Sequence, residues 1–493
     1  MVNLGRFVKT VGCCSQRYVF DLTKSDLKAH SPMNIKSFNQ AAKTISILGF
    51  TTLSLFQAST AIAGSLVLVG GNWAYPGEGS SAEPYGLSIY QKIVDLAGGT
   101  AKAKIGIIST ASTRPANSAN AYLGDFRSLY GDAIDIEWIP ITRDTCDSYK
   151  NDSRSAVVKQ ISDRNAFLFT GGDQSYITDC FFNEDTENKK RTDTALIQTL
   201  RKQFDKGAVI AGTSAGTAVQ PQDPMITNGE SYEAVRDGTV EFIGSPPFDR
   251  TTYYNPFGGL GFFTYGLLDS HFSERGRQGR IIRLASDLGV DQAYGIDENT
   301  ALIVTNANTP EVQFDVLGQG GVFISDLSAA QTGEKNGYWT IDNVKATYLT
   351  EGDRFNPLTN TPDFTGKTSL TGKEQLDTAP TTPNVFSYYD DTLEDWTDPR
   401  AFTDTAIALF NSKSTTTMGE TKENDPAYGV TLTKPTGAEG FYGNDSQGNR
   451  KYSFTGLGIA IAPVPEPGLA FSLLSLGVLG VGYRLKRDRK NLF

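Results

Sequence analysis

Between Gly207 and Ala218 an apolar run, Ala208-Val209-Ile210-Ala211, leads into Gly212-Thr213-Ser214-Ala215-Gly216 and then into further small residues. A Gly-x-Ser-x-Gly turn between a strand and a helix is the spacing of a nucleophile elbow. The turn pushes the serine hydroxyl out of the sheet, and its neighbours must be small because strand and helix approach closely. Ser214 is therefore the candidate nucleophile. The amide of Ala215, at the head of the following helix, would face an oxyanion, an arrangement worth about 3 kcal/mol per donor. The competing reading is a plain strand-to-helix turn, which also selects small residues. A serine hydroxyl needs a base within hydrogen-bond reach, and the chain has two histidines, His30 and His271. His271 lies in Leu267-Leu268-Asp269-Ser270-His271-Phe272-Ser273-Glu274-Arg275, where an apolar stretch could end a strand beside charged residues. A lone histidine is more often structural, but one placed at a strand end among charges suits a base. A third group should orient it, and Glu298 in Gly295-Ile296-Asp297-Glu298-Asn299-Thr300 is the candidate, against the reading of a surface turn acid.

These segments, with Phe169-Thr170-Gly171-Gly172-Asp173-Gln174 and the arginines Arg275, Arg277 and Arg280, resemble cyanophycinases from Ser65 to Phe355. The resemblance implies a flavodoxin-like or class I glutamine amidotransferase-like sheet, related to that of aspartyl dipeptidases. It implies a triad of Ser214, His271 and Glu298, and a substrate pocket lined by Gln174, Asp269, Ser270, Arg275, Arg277 and Arg280. The substrate it implies is cyanophycin, a polyaspartate whose side-chain carboxyls carry arginine, cut to β-aspartyl-arginine dipeptides without a cofactor by a homodimer. The arginines make chemical sense there, because guanidinium forks suit carboxylates. Asp269 could meet an arginine of the substrate. Since Arg283 continues the series, part of it also reads as a solvated helix face, and one or two of the three arginines are expected to touch substrate. Gly171-Gly172 allows close backbone approach, so Gly172 is the candidate for the second oxyanion N–H, against a simple turn. Related enzymes usually carry Gln where Ser270 stands, which puts one substrate contact in doubt. The rival readings are an aspartyl dipeptidase or other small-peptide hydrolase, and a surface binding protein on an inactive hydrolase scaffold.

Such a site needs strands that end together. Ser65–Gly71, Lys104–Ser109 and Ala166–Thr170 are continuous apolar runs suited to strands buried on both faces. Helical patterns lie between them: Tyr85–Ala97 is closed by Gly98-Gly99, and Leu196, Leu200 and Phe204 recur at helical spacing. The alternation predicts an α/β fold, a mostly parallel sheet with helices on both faces and its chemistry at the carboxyl ends of strands. After Thr300 short β-like pieces take over, at 301–304, 322–324 and 344–349. A catalytic domain is expected over 64–356. Residues 357–462, rich in Thr, Asp, Asn and Gly, are expected to form a polar, partly β extension.

The ends read as addresses. From Met33, Lys36 and Lys43 precede the apolar run Ile45–Phe56 and Ala61-Ile62-Ala63-Gly64, the layout of a secretory signal within an upstream segment 1–63. At the other end Val464-Pro465-Glu466-Pro467, an apolar stretch and a basic tail fill 463–493 and resemble a PEP-CTERM sorting signal. That resemblance implies a short membrane span, an exosortase-type sorting enzyme as partner, and a destination at the cell surface or beyond. A net charge of −10 argues against non-specific attraction to nucleic acid. Two histidines and no Cys-x-x-Cys pair leave no usual zinc or iron site, so neither metal nor cofactor is expected. Cys146 and Cys180 could form a disulfide or remain two buried thiols. N-terminal sequencing of exported protein is expected to begin near Gly64; a mature protein that retains His30 would refute the signal.

Overall fold

In the computed structural model the described residues are 63–464, apart from Asp391 and Glu394; all but the last residue of the expected secretion signal and all but the first two residues of the expected sorting tail lie outside them. Apolar runs with few polar interruptions make the strands β1 (Ser65–Val69), β2 (Lys104–Ile108), β3 (Asp135–Trp138), β4 (Ala166–Phe169) and β5 (Val209–Thr213). They pair in parallel in the order β3-β2-β4-β5-β1. The connecting helices are α1 (Glu83–Leu96), α2 (Pro115–Tyr130), α3 (Ala156–Ser162), α4 (Gln174–Phe181) and α5 (Ala195–Phe204). Because strand side chains alternate between faces, Leu66, Leu68, Phe167 and Phe169 pack with α3, α4 and α5. Val67, Val69, Ile105 and Ile107 pack with α1 and α2 on the opposite face. β5 runs through Ser214 into the single-turn helix α6 (Ala215–Ala218).

After a small three-stranded sheet formed between residues 225 and 255, the chain begins a second large sheet. β6 (Leu267–Asp269) and β7 (Gln292–Ile296) pair in parallel, with the amphipathic helix α7 (Gln278–Leu288) between them in sequence. β8 (Thr300–Thr305) returns to the first sheet antiparallel to β1, and β9 (Gln313–Gly318) follows it. β10 (Gly321–Asp326) and β11 (Tyr338–Thr350) extend the second sheet from β7. β12 (Arg354–Asn356) and β13 (Thr361–Asp363) close the antiparallel edge of the first. The central sheet is thus largely parallel on the side that carries β5 and antiparallel beyond β1.

Residues after 356 form more regular structure than their polar composition suggests. Helix α8 (Ala401–Phe410) and the strands β14 (Thr416–Glu420), β15 (Tyr428–Thr433) and β16 (Arg450–Pro463) complete the second sheet, with β16 between β11 and β15. Their apolar positions are spaced two apart, so Val430, Leu432, Leu457, Ile459 and Ile461 share one core with Ile281 and Ile282 of α7 and with Phe386, Phe402 and Phe410. Thr, Asn and Asp occupy the outer face and the turns, which is why composition alone hid the strands. A disulfide joins Cys146 to Cys180, tying the segment after β3 to α4. No helix among the described residues is long and apolar enough to cross a membrane.

A chain ended at residue 356 leaves β11 without β16 and uncovers this shared core. It is expected to be insoluble, or to melt without a cooperative transition in a thermal scan; a soluble, cooperatively melting 64–356 fragment would contradict this.

Candidate functional site

The turn after β5 holds Ser214 at φ 54° and ψ −117°, a conformation non-glycine residues adopt only when their surroundings enforce it. The enforcement is local. A Cβ at Gly212 would come within 2.1 Å of the Gly216 carbonyl oxygen, and one at Gly216 within 2.1 Å of that of Phe169, so both flanks must be glycine. The Ser214 N–H donates to Val69 O at 3.1 Å, and the Thr217 hydroxyl bonds Val69 O at 2.7 Å. Ser214 therefore stands clear of the sheet at the carboxyl end of its parallel strands.

His271 and Glu298 reach the same point from the second sheet. Asp269 of β6 pairs in register with Gly295 of β7, so the two strands release their following residues side by side. The backbone N–H of His271 (φ 48°) donates to Gly70 O at 2.6 Å, and that of Asn299 to Gly71 O at 2.9 Å. Both loops are thereby pinned to the end of β1. The imidazole Nε2 lies 2.8 Å from Ser214 Oγ and Nδ1 lies 2.6 Å from Glu298 Oε1. With Nδ1–H donated to the carboxylate, the Nε2 lone pair faces the hydroxyl, the arrangement a general base requires. Gly71 sits against the ring: its φ is +107°, and a Cβ there would come within 2.1 Å of the imidazole.

Burial pushes the His271 pKa down to about 4; Arg275 and Arg277 push the same way, against the hydrogen bond to Glu298. Burial alone would raise Glu298, but the bonds from His271 and from Asn72 hold it below the usual carboxylate value. At neutral pH the pair is a neutral imidazole beside a carboxylate.

Beside the triad lies a cavity of about 230 Å³ whose wall includes Gly172, Gln174, Ser214, Ala215, Asp269, Ser270, His271, Arg275, Arg277 and Arg280. Glu298 stands behind the imidazole and lines a separate cavity of about 610 Å³. Ala215 heads α6, so its N–H has no carbonyl one turn back to meet. Gly172 must be glycine, because a Cβ would fall 2.0 Å from Ala111 O. Gln174 spends its amide N–H groups on the carbonyls of Ile226 and Thr227, at 2.9 and 3.1 Å.

One expectation fails. Asp269 does not wait for an arginine of a substrate, because its carboxylate is already saturated. Arg280 grips it with Nε at 2.8 Å and Nη2 at 2.6 Å, Arg277 Nη1 lies at 3.2 Å, and the Ser270 N–H at 2.8 Å. Asp269 is 1% exposed and Arg280 4%, so this pair braces the wall. Arg275 and Arg277 each have a buried Nε with no hydrogen-bond partner, and Arg277 shares the single Asp269 carboxylate with Arg280. Three guanidiniums against the two carboxylates of Asp173 and Asp269 leave the cleft wall with a small positive excess, suited to an anionic group. Ser270 contributes its backbone to the brace, accepting from Arg277 Nη1 at 2.7 Å.

Several residues at the site were not singled out from the sequence. Asn72 donates to Glu298 Oε2 at 2.9 Å; its position just after the Gly-Gly end of β1 was the available signal. Phe248, fully exposed, forms part of the cleft rim. The Arg275 guanidinium lies over the Trp396 ring, 5.7 Å from the ring centroid, and Arg400 bonds Glu274. These come from segments distant in sequence, with no local pattern to mark them. Among the described residues no group of three or more His, Cys, Asp or Glu side chains is placed to hold a metal ion.

Residues 76–312 match the sequence model of peptidase family S51. A cyanophycinase of Geminocystis herdmanii is 28% identical over 290 residues, covering 58% of this chain and 93% of the relative. A cyanophycinase of Nostoc sp. is 29% identical, over 52% of this chain and 76% of the relative. One of Synechococcus elongatus is 27% identical, over 57% and 78%. The crystal structure of a peptidase from an acI-B1 Actinobacterium aligns with 60% of this chain and 98% of its own at 18% identity, with a TM-score of 0.39.

The base is active only as the neutral imidazole, so activity is lost as pH falls through the His271 pKa. With that pKa near 4, kcat/KM is expected to stay level from neutral pH down to about 5 and to fall below it. Arg275→Gln removes a charge that depresses it and should move this acid limb upward. An unshifted limb, or one already at the ordinary histidine value in the parent enzyme, would show the electrostatics to be misread.

Proposed function

Because the chain is an S51-type serine peptidase similar to cyanophycinases, we propose that it degrades cyanophycin, cutting the amide between aspartyl units with Ser214 as nucleophile. The observation that carries this reading is the continuous bond path Glu298–His271–Ser214, at 2.6 and 2.8 Å. Ser214 Oγ adds to the scissile carbonyl carbon as its proton passes to His271 Nε2, and Glu298 stabilises the imidazolium. The oxyanion develops toward the N–H groups of Ala215 and Gly172. The imidazolium returns its proton to the departing amine as the C–N bond breaks, leaving an acyl-enzyme. Water, deprotonated by the same imidazole, then releases the new carboxylate and restores Ser214.

The cationic wall suits the substrate's free carboxylates: Arg275, Arg277 and Arg280 all line the cavity beside Ser214. The Gln174 side-chain oxygen is left to accept from substrate N–H groups, since its amide nitrogen is occupied. The product is β-aspartyl-arginine. Export to the cell surface or beyond, with an exosortase-type enzyme acting on the tail, is the location read from the two chain ends. A second reading, a hydrolase of small Asp-containing peptides, is favoured by the cavity volume of about 230 Å³, which accommodates only a short stretch of chain. An inactive binding scaffold is disfavoured by the intact bond path.

Incubating the purified protein with insoluble cyanophycin and measuring soluble dipeptide separates these readings. Release is expected, with Ser214→Ala reducing it by at least about a thousandfold. Cleavage of soluble Asp-containing dipeptides with the polymer left intact would favour the second reading. Full activity in Ser214→Ala would discard the mechanism.

A further inference from the structure

Phe386, Arg400 and Thr403, beyond the segment that matches the peptidase family, pack directly on the loop that carries His271 and the arginines. A Cβ at Gly276 would fall 1.6 Å from the Phe386 carbonyl oxygen. The Ser273 hydroxyl meets that of Thr403 at 2.7 Å, and the Arg400 N–H donates to Ser273 O at 2.9 Å. At the centre of this contact is the Arg400 side chain. Its Nη1 donates to Glu274 Oε1 at 2.7 Å and to Asp297 Oδ2 at 2.9 Å, and its Nη2 to the Tyr348 hydroxyl at 3.0 Å. The other oxygen of Glu274 accepts the backbone N–H of Glu298 at 3.0 Å. Asp297, the residue before Glu298, also accepts the Ser273 N–H at 3.0 Å and the Gly321 N–H at 3.0 Å.

We propose that Arg400 is a positioning residue of the active site, acting through Glu274 and Asp297 to hold the Glu298 carboxylate on the His271 imidazole. The physical reason is charge. Asp297 is fully buried and Glu274 only partly exposed, at the wall of the larger cavity, and two carboxylates so close are stabilised by a cation between them. Burial, with Asp297 beside it, raises the Glu274 pKa to about 7 against the pull of Arg400. Without the guanidinium, Glu274 takes up a proton at neutral pH and becomes a poorer acceptor for the Glu298 N–H, and Asp297 loses one of its donors. Both changes act on the short segment whose next side chain orients the base. Arg400 touches no residue of the cleft wall where substrate would sit, so its loss should slow the chemical step and spare binding.

The inference rests on Ser214 as nucleophile, and covalent labelling with a fluorophosphonate probe tests it without reference to any natural substrate. In the full-length protein Arg400→Met is expected to lower the maximal labelling rate about 10- to 100-fold with the probe's half-saturation concentration unchanged, and Arg400→Lys to recover part of the loss. Glu274→Gln keeps an oxygen for the Glu298 N–H and removes one of the two carboxylates that the cation holds, leaving Asp297. In that background Arg400→Met should cost less than it does alone, a non-additivity that signals action through Glu274. A melting profile accompanies each variant. If Arg400→Met loses its cooperative transition, Arg400→Lys, which keeps the charge but not the fork, carries the same comparison with Glu274→Gln. A folded variant labelled at the parent rate, or strictly additive effects, would overturn the proposal. An unlabelled parent enzyme, or a Ser214→Ala variant labelled equally fast, would instead remove the serine chemistry on which it rests.

Discussion

The imidazole of His271 is where two sheets are made to agree. Ser214 belongs to the first sheet, His271 and Glu298 to the second, and neither sheet alone fixes the distance between them. What fixes it is the end of β1, where the carbonyls of Gly70 and Gly71 take the amides of His271 and Asn299. Left-handed backbone at Asn72, Ser214, His271 and Asn299 is the cost of turning four loops into one small volume. The surrounding core holds these residues in place. Glycine at 71 is required by sterics, because the ring occupies the space a side chain would fill.

Around that ring the charges are graded. Asp269 is committed to Arg280 and Arg277, and this brace orients the wall rather than meeting a ligand. Arg275 and Arg277 then do two things at once: they leave the cleft cationic, and they help keep the buried imidazole unprotonated. A chain with a net charge of −10 thus presents a local positive site to ligands that bear carboxylates. The overall charge and the local charge act over different distances, because salt screens the first and burial shields the second from screening.

The nucleophile turn was legible because its constraints are local: a buried strand, two obligatory glycines and a helix start fall within a few residues. His271 and Glu298 were legible more indirectly, as polar residues following short apolar runs that turn out to be the paired strands β6 and β7. Which sheet those strands join was not legible, since runs of three and five residues carry no partner information. The role of Asp269 was misjudged for a related reason. A carboxylate near several arginines in sequence can serve a substrate or the protein, and only the fork geometry decides. Asn72 and Arg400 lie 226 and 126 residues from the side chains they bond, so nothing in their own neighbourhood marks them. The strands after residue 356 were obscured because Thr-rich outer faces dilute their apolar positions.

β16, the last strand described, is not an edge strand: it lies between β11 and β15, with the segment 439–444 also paired to it. A polypeptide emerging from a ribosome or a translocation pore delivers its amino-terminal end first. Until residue 450 arrives, β11 and β15 therefore face each other with their ladders unfilled, and unpaired edges of that kind invite pairing with other chains. Closure of the second sheet is a late, non-local event, and such contacts form slowly. The growing chain must remain shielded, or remain unfolded, until β16 slides into the gap.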